Sequence, residues 1–328
     1  MSKLLEVSDL RVEFNSRQGQ VKAVRGLSYS IDEGQAMALV GESGSGKSVS
    51  ALALLNLLPK KTSKITTGSI KFRGQELVGL SEREMRKLRG GSIAMIFQDP
   101  LTSFNPVLTI SQQIVEQLEE HGKADGKAAH NRAVELLELV GIPDPGQRAN
   151  QYPHQLSGGM RQRAMIAMAL SCDPALLLAD EPTTALDVTI QAQILELIAR
   201  LQKEIGMSLL LITHDLGVVA GSTEKLTVMY AGSALEQGNT AEVLANPTHP
   251  YTVGLLRSIP RLDRPRGGLL IPIPGAPPDM SKTSEGCSFE PRCEFAQSKC
   301  AVENPIMVPV MNNRTAACFY PSVTKVNG

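Results

Sequence analysis

Residues 41–48 read GESGSGKS and have the residue types and spacing of a phosphate-binding loop. They fit the pattern G-x-x-x-x-G-K-[ST], with Gly41, Gly46, Lys47 and Ser48 at its fixed positions. Glycines let the backbone curl so that its N–H groups face phosphate oxygens. A lysine at this position reaches the β- and γ-phosphates, and a serine hydroxyl binds Mg²⁺. The pattern therefore predicts a nucleoside triphosphate site.

The segments on either side of this loop are those that such a site requires. Ala36–Val40 is a short apolar run that indicates a buried strand, and Val49–Leu58 has the pattern of a helix. The loop then lies between a strand and a helix N-terminus, where backbone N–H groups and the helix dipole favour an anion. A Gly/Ser-rich turn that matched by chance would have no reason to carry both flanks, so we favour the phosphate-binding interpretation.

A second helix start also has groups that attract an anion. Ser157, Gly158 and Gly159 precede 161–171, a segment rich in Ala, Met and Ile with a helical pattern. A serine hydroxyl, N–H groups and the positive end of a helix dipole together form an anion site. Taken alone, a Ser-Gly-Gly start is more often a helix cap with close backbone packing.

Two apolar runs deliver polar side chains to the ends of predicted strands. The run 175–179 leads to Asp180 and Glu181, and the run 208–213 leads to His214. In open α/β sheets, ligands bind outside the carboxyl ends of the strands. We expect Asp180 to hold the metal and Glu181 to polarise the attacking water. An apolar run that ends in an acid is weak evidence by itself, because many strands end in this way.

Composition narrows the class of protein. The 328 residues include 33 Lys and Arg and 33 Asp and Glu, so no overall basic field favours nucleic acid or anionic lipid. No run of about eighteen apolar residues predicts a membrane span. The N-terminus alternates like a strand and lacks a signal-peptide core, so we expect a cytoplasmic protein.

Four of the five cysteines lie near the C-terminus, and in the cytosol such a cluster favours a metal site over disulfides.

Periodicity predicts a chain that alternates strands and helices, with a helix-rich insertion in the middle. Strands are expected at 4–14, 21–31, 36–40, 68–73, 92–97, 175–179, 208–213, 225–230 and 232–237. Helices are expected at 49–58, 81–89, 110–120, 127–140, 161–171, 189–203, 240–245 and 251–258. A turn is expected at 18–20 and a loop at 101–106. Prolines after Asn246 predict a tail that cannot easily form its own apolar core.

The motifs together resemble those of the ATP-binding subunits of ABC transporters. The resemblance rests on GESGSGKS, Gln98, LSGGM at 156–160, LLLADE at 176–181 and His214, in this order. It implies an α/β fold, a P-loop NTPase cassette over residues 1–245. That cassette combines a mixed sheet core with an antiparallel β subdomain and a helical subdomain at about 99–172. We refer to 41–48 below as the P-loop.

The resemblance also assigns roles to individual residues. It implies catalytic roles for three residues. Glu181 would be the base, His214 would contact the γ-phosphate, and Gln98 would sense the γ-phosphate. It implies that Mg²⁺ is held by Ser48, Gln98 and Asp180, and it places a further loop, TALD, at Thr184–Asp187. The implied ATP-binding residues are Phe14 (stacking on adenine), Gly41, Ser43, Gly44, Ser45, Gly46, Lys47, Ser48, Val49, Asp180, Ser157, Gly158 and Gly159.

The tail, residues 246–328, narrows the resemblance to oligopeptide and dipeptide importer ATPases. The match rests on NPTHPYT at 246–252, a Pro-Gly loop at 274–275 and the segment 286–293 with its PRC sequence. It implies a [4Fe–4S] cluster, with zinc as the alternative because four thiolates suit either metal. The implied ligands are Cys287, Cys293, Cys300 and Cys318.

The resemblance finally implies an assembly. Two ATPase subunits would pack head to tail, with ATP between the P-loop of one and the LSGGM of the other. The expected partners are a second homologous ATPase subunit, two transmembrane permease subunits and an extracytoplasmic peptide-binding protein, without nucleic acid. The chain would be the motor of a peptide importer, peripheral on the cytoplasmic face of the inner membrane. The alternatives are a motor for nickel or another small solute, or a soluble ABC ATPase without a transport role.

Overall fold

A computed structural model describes residues 2–16, 19–184, 186–258, 272–281, 285–311 and 313–321. The strands are β1 (Lys3–Ser16), β2 (Gly19–Asp32), β3 (Ala36–Val40), β4 (Ser63–Phe72), β5 (Gln75–Glu76), β6 (Ile93–Ile96), β7 (Leu176–Asp180), β8 (Ser208–Thr213), β9 (Lys225–Tyr230), β10 (Ser233–Asn239), β11 (Val308–Pro309) and β12 (Thr315–Ala316).

The α-helices are α1 (Lys47–Leu54), α2 (Glu82–Leu88), α3 (Pro100–Ser103), α4 (Ile110–Glu120), α5 (Gly126–Leu139), α6 (Pro145–Arg148), α7 (Gly158–Leu170), α8 (Val188–Ile205), α9 (Leu216–Val219), α10 (Thr240–Ala245), α11 (Pro250–Arg257) and α12 (Ser298–Val302). Turns of 3₁₀-helix lie at Pro153–Gln155 and Glu290–Arg292. Within the described ranges, no helix combines the length and the apolar character that crossing a membrane requires.

The chain divides into two compact units. The first unit comprises the described residues within 1–2, 32–35 and 79–211, and the second comprises the described residues within 3–31, 36–78 and 212–328. Strand β8 begins in the first unit and ends in the second.

The first unit carries strands β6, β7 and β8, which are neighbours in that order, and most of the helices. Strands β6 and β7 are parallel, with Ile93 opposite Leu176. All five residues of β7 are buried, which explains why its sequence is a continuous apolar run and does not alternate. Helices α4, α5 and α7 contact one another, and each carries buried apolar side chains, among them Ile114, Leu137 and Ile166.

The second unit contains strands of two sheets. The first has the order β2-β1-β4-β5, and β1 pairs with β4 in antiparallel register, Leu5 opposite Phe72. Strands of the other sheet follow the order β11-β12-β10-β9-β3, with β3 parallel to β9 and β9 antiparallel to β10. These sheets confirm the predicted fold class, a mixed core sheet with an antiparallel β subdomain. The turn expected at 18–20 falls partly outside the described residues, because Gln18 is not among them.

The segment predicted as a loop at 101–106 begins with a helical turn instead. Helix α3 spans Pro100–Ser103, and the Asp99 carboxylate accepts a hydrogen bond from the N–H of Leu101 at 2.8 Å. The Ser103 hydroxyl donates to the Asp99 carbonyl at 2.9 Å. An aspartate cap followed by proline at the first helical position is a recognised helix start. Periodicity in the sequence does not reveal this helix, because one turn is too short to show a repeat.

The described part of the tail joins the core of the second unit. The Phe289 ring lies edge-on to Tyr230, with a centroid distance of 5.3 Å and an interplanar angle of 88°, and it also contacts Tyr251 at 5.3 Å. Strand β12 pairs with β10, which places Ala316 opposite Glu236. Aromatic pairs of this kind stabilise a folded chain by more than the burial of their surface area provides. Packing against the sheet therefore holds in place a segment whose sequence has little periodicity.

A buried polar cluster joins β10, α11 and the tail. The Glu236 side chain is fully buried, and its carboxylate accepts hydrogen bonds from the N–H groups of Thr248 (2.8 Å) and His249 (3.0 Å). The guanidinium of Arg314, 2% exposed, lies 4.0 Å from the same carboxylate. Losing either charge would leave its partner buried and unpaired, which costs about 3–5 kcal/mol of unfolding free energy.

His249 gives the stability of the second unit a pH dependence. Burial lowers the pKa of His249 to about 3, and its Nδ1 accepts a hydrogen bond from the N–H of Tyr251 at 3.0 Å. An unfolded histidine titrates near pH 6.5, so between about pH 6.5 and pH 3 the unfolded chain binds the extra proton. The contribution of His249 to the unfolding free energy is therefore complete above about pH 6.5 and is lost as the pH falls.

We expect His249→Asn, which keeps a capping acceptor without titrating, to lose less unfolding free energy than the wild type between about pH 7 and about pH 5. Urea denaturation at the two pH values measures the difference. Replacing the exposed His154 by asparagine is the control and should leave the wild-type pH dependence unchanged. Equal losses in His249→Asn and the wild type would contradict this account of the buried imidazole.

Candidate functional site

The P-loop lies between β3 and α1, at the position that the sequence predicts. The side chain of Lys47 is buried, and its Nζ donates hydrogen bonds to the carbonyl oxygens of Gly41 (2.7 Å) and Glu42 (2.9 Å). The ammonium is thus held by the loop's own backbone. Helix α1 follows Gly46 without a side-chain cap, and an uncapped helix N-terminus favours an anionic ligand.

Two glycines of the P-loop are required by contacts with neighbouring backbone. A Cβ at Gly41 would lie 2.1 Å from the carbonyl oxygen of Met229, at the end of β9. A Cβ at Gly46, where φ is +96°, would lie 2.4 Å from the carbonyl oxygen of Ala23 in β2. No other residue fits at these distances, so the strands of the second unit fix the path of the loop at both ends.

The other predicted ATP-binding residues of the second unit, and the predicted catalytic residue His214, differ in exposure. Ser43, Gly44 and His214 are exposed, Phe14, Ser48 and Val49 are half-buried, and Ser45 is buried. Phe14 lies near the end of β1, opposite Ser63 of β4. His214 directly follows β8, as the sequence predicts.

In the first unit, the structure brings two predicted catalytic residues together. The Gln98 Nε2 donates a hydrogen bond to Glu181 Oε2 at 3.1 Å, although the two residues are 83 positions apart. Thr184 Oγ1 donates to the same carboxylate oxygen at 3.0 Å. Two side-chain donors thus hold this carboxylate oxygen in one orientation. Asp180, the preceding residue and the end of β7, is buried.

Glu181 also has an unusual backbone conformation. Its φ is +45°, in the left-handed region that few residues other than glycine adopt. Non-glycine residues held there concentrate at functional sites, where the surrounding structure offsets the strain. The contact between Thr184 and Glu181 was missed by the sequence analysis, which placed Thr184 only within a loop motif. The residue Ala185 of that motif lies outside the described residues.

The LSGGM segment forms a capped helix start in the first unit. Ser157 Oγ accepts a hydrogen bond from the N–H of Met160 at 3.3 Å, at the N-terminus of α7. A Cβ at Gly159 would lie 3.1 Å from Cγ2 of Ile190 in α8. The capping and packing that we considered from sequence are therefore present. Ser157 itself is exposed, so these contacts leave the residue accessible to a ligand.

The four C-terminal cysteines do not form the metal centre that we predicted. Cys287, Cys293, Cys300 and Cys318 line one cavity of the second unit. In the part of the chain that the structure describes, however, no group of three or more Cys, His, Asp or Glu side chains could hold a metal ion. The prediction of a [4Fe–4S] cluster is therefore wrong, and the zinc alternative fails on the same finding.

The surroundings of the thiols explain this difference. The cavity has a volume of about 20 Å³, room for about one water molecule, and the rings of Phe289, Phe295 and Phe319 line it with the cysteines. Burial raises the pKa of Cys287 and brings the pKa of Cys293 to about 11. Thiolates bind metals, whereas protonated thiols pack as small apolar groups. Cysteine spacing alone does not distinguish these two states.

Comparison with protein families identifies both parts of the chain. Residues 24–184 match the family described as ABC transporter, and residues 235–300 match the family described as oligopeptide/dipeptide transporter, C-terminal region. The chain is 49% identical to the oligopeptide transport ATP-binding protein OppD of Bacillus subtilis, over 99% of this chain and 92% of that protein. It is 50% identical to the dipeptide transport ATP-binding protein DppD of the same organism, over 97% of this chain and 95% of that protein.

Solved structures agree with these matches. The ATP-binding cassette MJ0796, in a dimeric post-hydrolysis state with ADP and Pi, has a TM-score of 0.64 and 28% identity, over 72% of this chain and 98% of that chain. CbiO1 of Clostridium perfringens, part of the ABC transporter complex cbiONQ, has a TM-score of 0.62 and 28% identity, over 75% and 92%. The sequence resemblance and the cassette fold are thereby confirmed. With near-complete coverage at about half identity, this chain belongs to the ABC transporter family as an ATPase subunit that carries the oligopeptide/dipeptide transporter C-terminal region.

Proposed function

We propose that this chain is the ATP-hydrolysing motor subunit of a peptide importer. The relatives named above are oligopeptide and dipeptide transport ATP-binding proteins that match nearly the whole chain. The observation that supports hydrolysis most directly is the Glu181 carboxylate, oriented by Gln98 and Thr184 next to the buried Asp180. A carboxylate held in place after the end of a strand is the group needed to polarise a water molecule.

The remaining roles follow from the chemistry of each side chain. Lys47 and the P-loop N–H groups would bind the phosphates of ATP, and Phe14 would stack on the adenine. Ser48, Gln98 and Asp180 offer the oxygen ligands that Mg²⁺ prefers, and the ion would neutralise charge on the phosphates. His214 would contact the γ-phosphate. The exposed Ser157 would face the nucleotide of a second ATPase subunit.

The proposed partners are a second homologous ATPase subunit, two membrane permease subunits and an extracytoplasmic peptide-binding protein. Such a motor works as a peripheral protein on the cytoplasmic face of the membrane. Exposed apolar side chains next to Gln98 support permease docking there: Leu101 is 55% exposed and Val107 is 74% exposed. Apolar side chains concentrated on one exposed segment are typical of a contact surface.

We expect Glu181→Gln to lower ATP turnover by a factor of about 10²–10⁴, the range that a general base contributes, while ATP binding is retained. Glutamine has nearly the same shape, so loss of turnover would report the carboxylate's basicity. Phosphate release and nucleotide retention after gel filtration measure the two effects. Glu196→Gln, at an exposed position of α8, is the control and should hydrolyse ATP at the wild-type rate. Retained turnover in Glu181→Gln would remove Glu181 from the role of base.

We expect Val107→Asp to abolish peptide uptake in cells and to release the chain from the membrane fraction, with ATP binding unchanged. The reason is that a desolvated carboxylate in an apolar contact opposes association. Labelled-peptide uptake and membrane fractionation measure the outcome. Ile306→Asp, at another exposed apolar position 75% accessible in the tail, is the control. If the Val107 variant transports normally, the segment after Gln98 is not the docking surface.

A further inference from the structure

Glu42, the second residue of the P-loop, is bound through each of its polar groups. Its N–H donates to the hydroxyl of Tyr251 at 2.9 Å, and its carbonyl accepts from Lys47 Nζ at 2.9 Å. Its carboxylate receives two hydrogen bonds from Arg292, Nη1 to Oε2 at 2.6 Å and Nη2 to Oε1 at 3.0 Å. Two of these three anchors, Tyr251 and Arg292, belong to the part of the chain that follows the cassette.

The guanidinium of Arg292 is itself fixed by other contacts. The residue is 8% exposed, and its Nε donates to the carbonyl oxygen of Pro274 at 2.8 Å. Nη1 also donates to the hydroxyl of Tyr230 at 3.3 Å. A planar guanidinium with its donors held in place presents a rigid fork that matches a carboxylate in one orientation. The position of the Glu42 carboxylate is therefore tied, through Arg292, to the position of the tail.

Holding Glu42 has a direct consequence for the phosphate site. The carbonyl groups of Gly41 and Glu42 are the acceptors for Lys47, the side chain expected to bind phosphate. The peptide units around Glu42 also begin the curve of the P-loop. A loop that is ordered before the ligand arrives binds that ligand more tightly, because less conformational entropy is lost on binding.

We propose that Arg292 is a positioning residue for nucleotide binding, through which the C-terminal extension keeps the P-loop in its phosphate-binding shape. This inference rests on the proposed role of the P-loop as the ATP site. Arg292 acts through Glu42 and is not assigned to the γ-phosphate or to the attacking water. Its loss should therefore weaken ATP and ADP binding alike and leave the rate of the bound complex nearly unchanged.

The test measures nucleotide affinity in the full chain with four variants: Arg292→Ala, Arg292→Lys, Glu42→Gln and the double variant Arg292→Ala/Glu42→Gln. We expect Kd for a fluorescent ATP analogue and for ADP to rise about tenfold in Arg292→Ala and Glu42→Gln. The double variant should be no weaker than the weaker single variant, because both remove one interaction. Arg292→Lys should be intermediate, since lysine keeps the charge without the fork.

The kinetic readout separates positioning from a purely structural role. A chain that only lost stability would show a smaller active fraction and a lower kcat, with an unchanged Kd in the folded molecules. A loosened P-loop should instead raise KM for ATP by a similar factor of about ten while kcat stays within about twofold. If Arg292→Ala does not fold, the nearly isosteric Glu42→Gln makes the same measurement.

Two control variants separate a failure of the positioning role from a failure of the proposed function. Arg257→Ala breaks an exposed ion pair of the same unit, Arg257 Nη1 to Glu294 Oε1 at 2.6 Å, and should bind nucleotide like the wild type. Lys47→Ala tests the P-loop itself and should abolish binding. Normal binding by Lys47→Ala would overturn the proposed function. Loss of binding in Lys47→Ala, with wild-type affinity in Arg292→Ala or Glu42→Gln, would overturn only the positioning role.

Discussion

The close approach of backbone to backbone around the P-loop is the constraint on which the proposed nucleotide site depends. At Gly41 the chain passes so near the carbonyl oxygen of Met229 that a Cβ does not fit, and Gly46 meets Ala23 in the same way. The loop is thus shaped by strands β9 and β2, which come from distant parts of the sequence. Lys47 can remain buried among backbone carbonyls because those carbonyls are held in place from outside the loop.

In the first unit, the corresponding constraint is the orientation of one carboxylate, that of Glu181. Glu181 adopts a left-handed backbone conformation at the end of a fully buried strand, and its carboxylate is held by the side chains of Gln98 and Thr184. The buried packing of β7 and its pairing with β6 surround this residue and offset the strain. The position of the Glu181 carboxylate therefore depends on the packing of the apolar strands around β7. In the sequence, β7 has only the pattern of an ordinary buried strand.

The tail shows how one residue pattern can serve a purpose that its spacing does not reveal. Four cysteines near the C-terminus indicated a metal site, but the described side chains provide no such centre, and the thiols pack around a small aromatic-lined cavity. The polar groups that connect this tail to the cassette are instead Arg292 and Arg314, two residues to which no sequence pattern assigned a role. Each is buried against a carboxylate, Glu42 or Glu236, on a distant segment. Charge pairs of this kind leave no periodic signal.

The sequence by itself determined the family, the order of the longer strands and helices and the place of the P-loop, because these depend on local patterns. Apolar runs, glycine spacing and the motif LSGGM can each be recognised within fewer than about ten consecutive residues. Recognising them does not require the identity of the residues that pack against them. Tertiary structure decided what those patterns could not contain. It paired Gln98 with Glu181, packed the thiols around a small aromatic-lined cavity and joined Arg292 to the P-loop. The physical reason is that burial and long-range pairing set the charge state and the partner of a side chain, and both are properties of the folded chain.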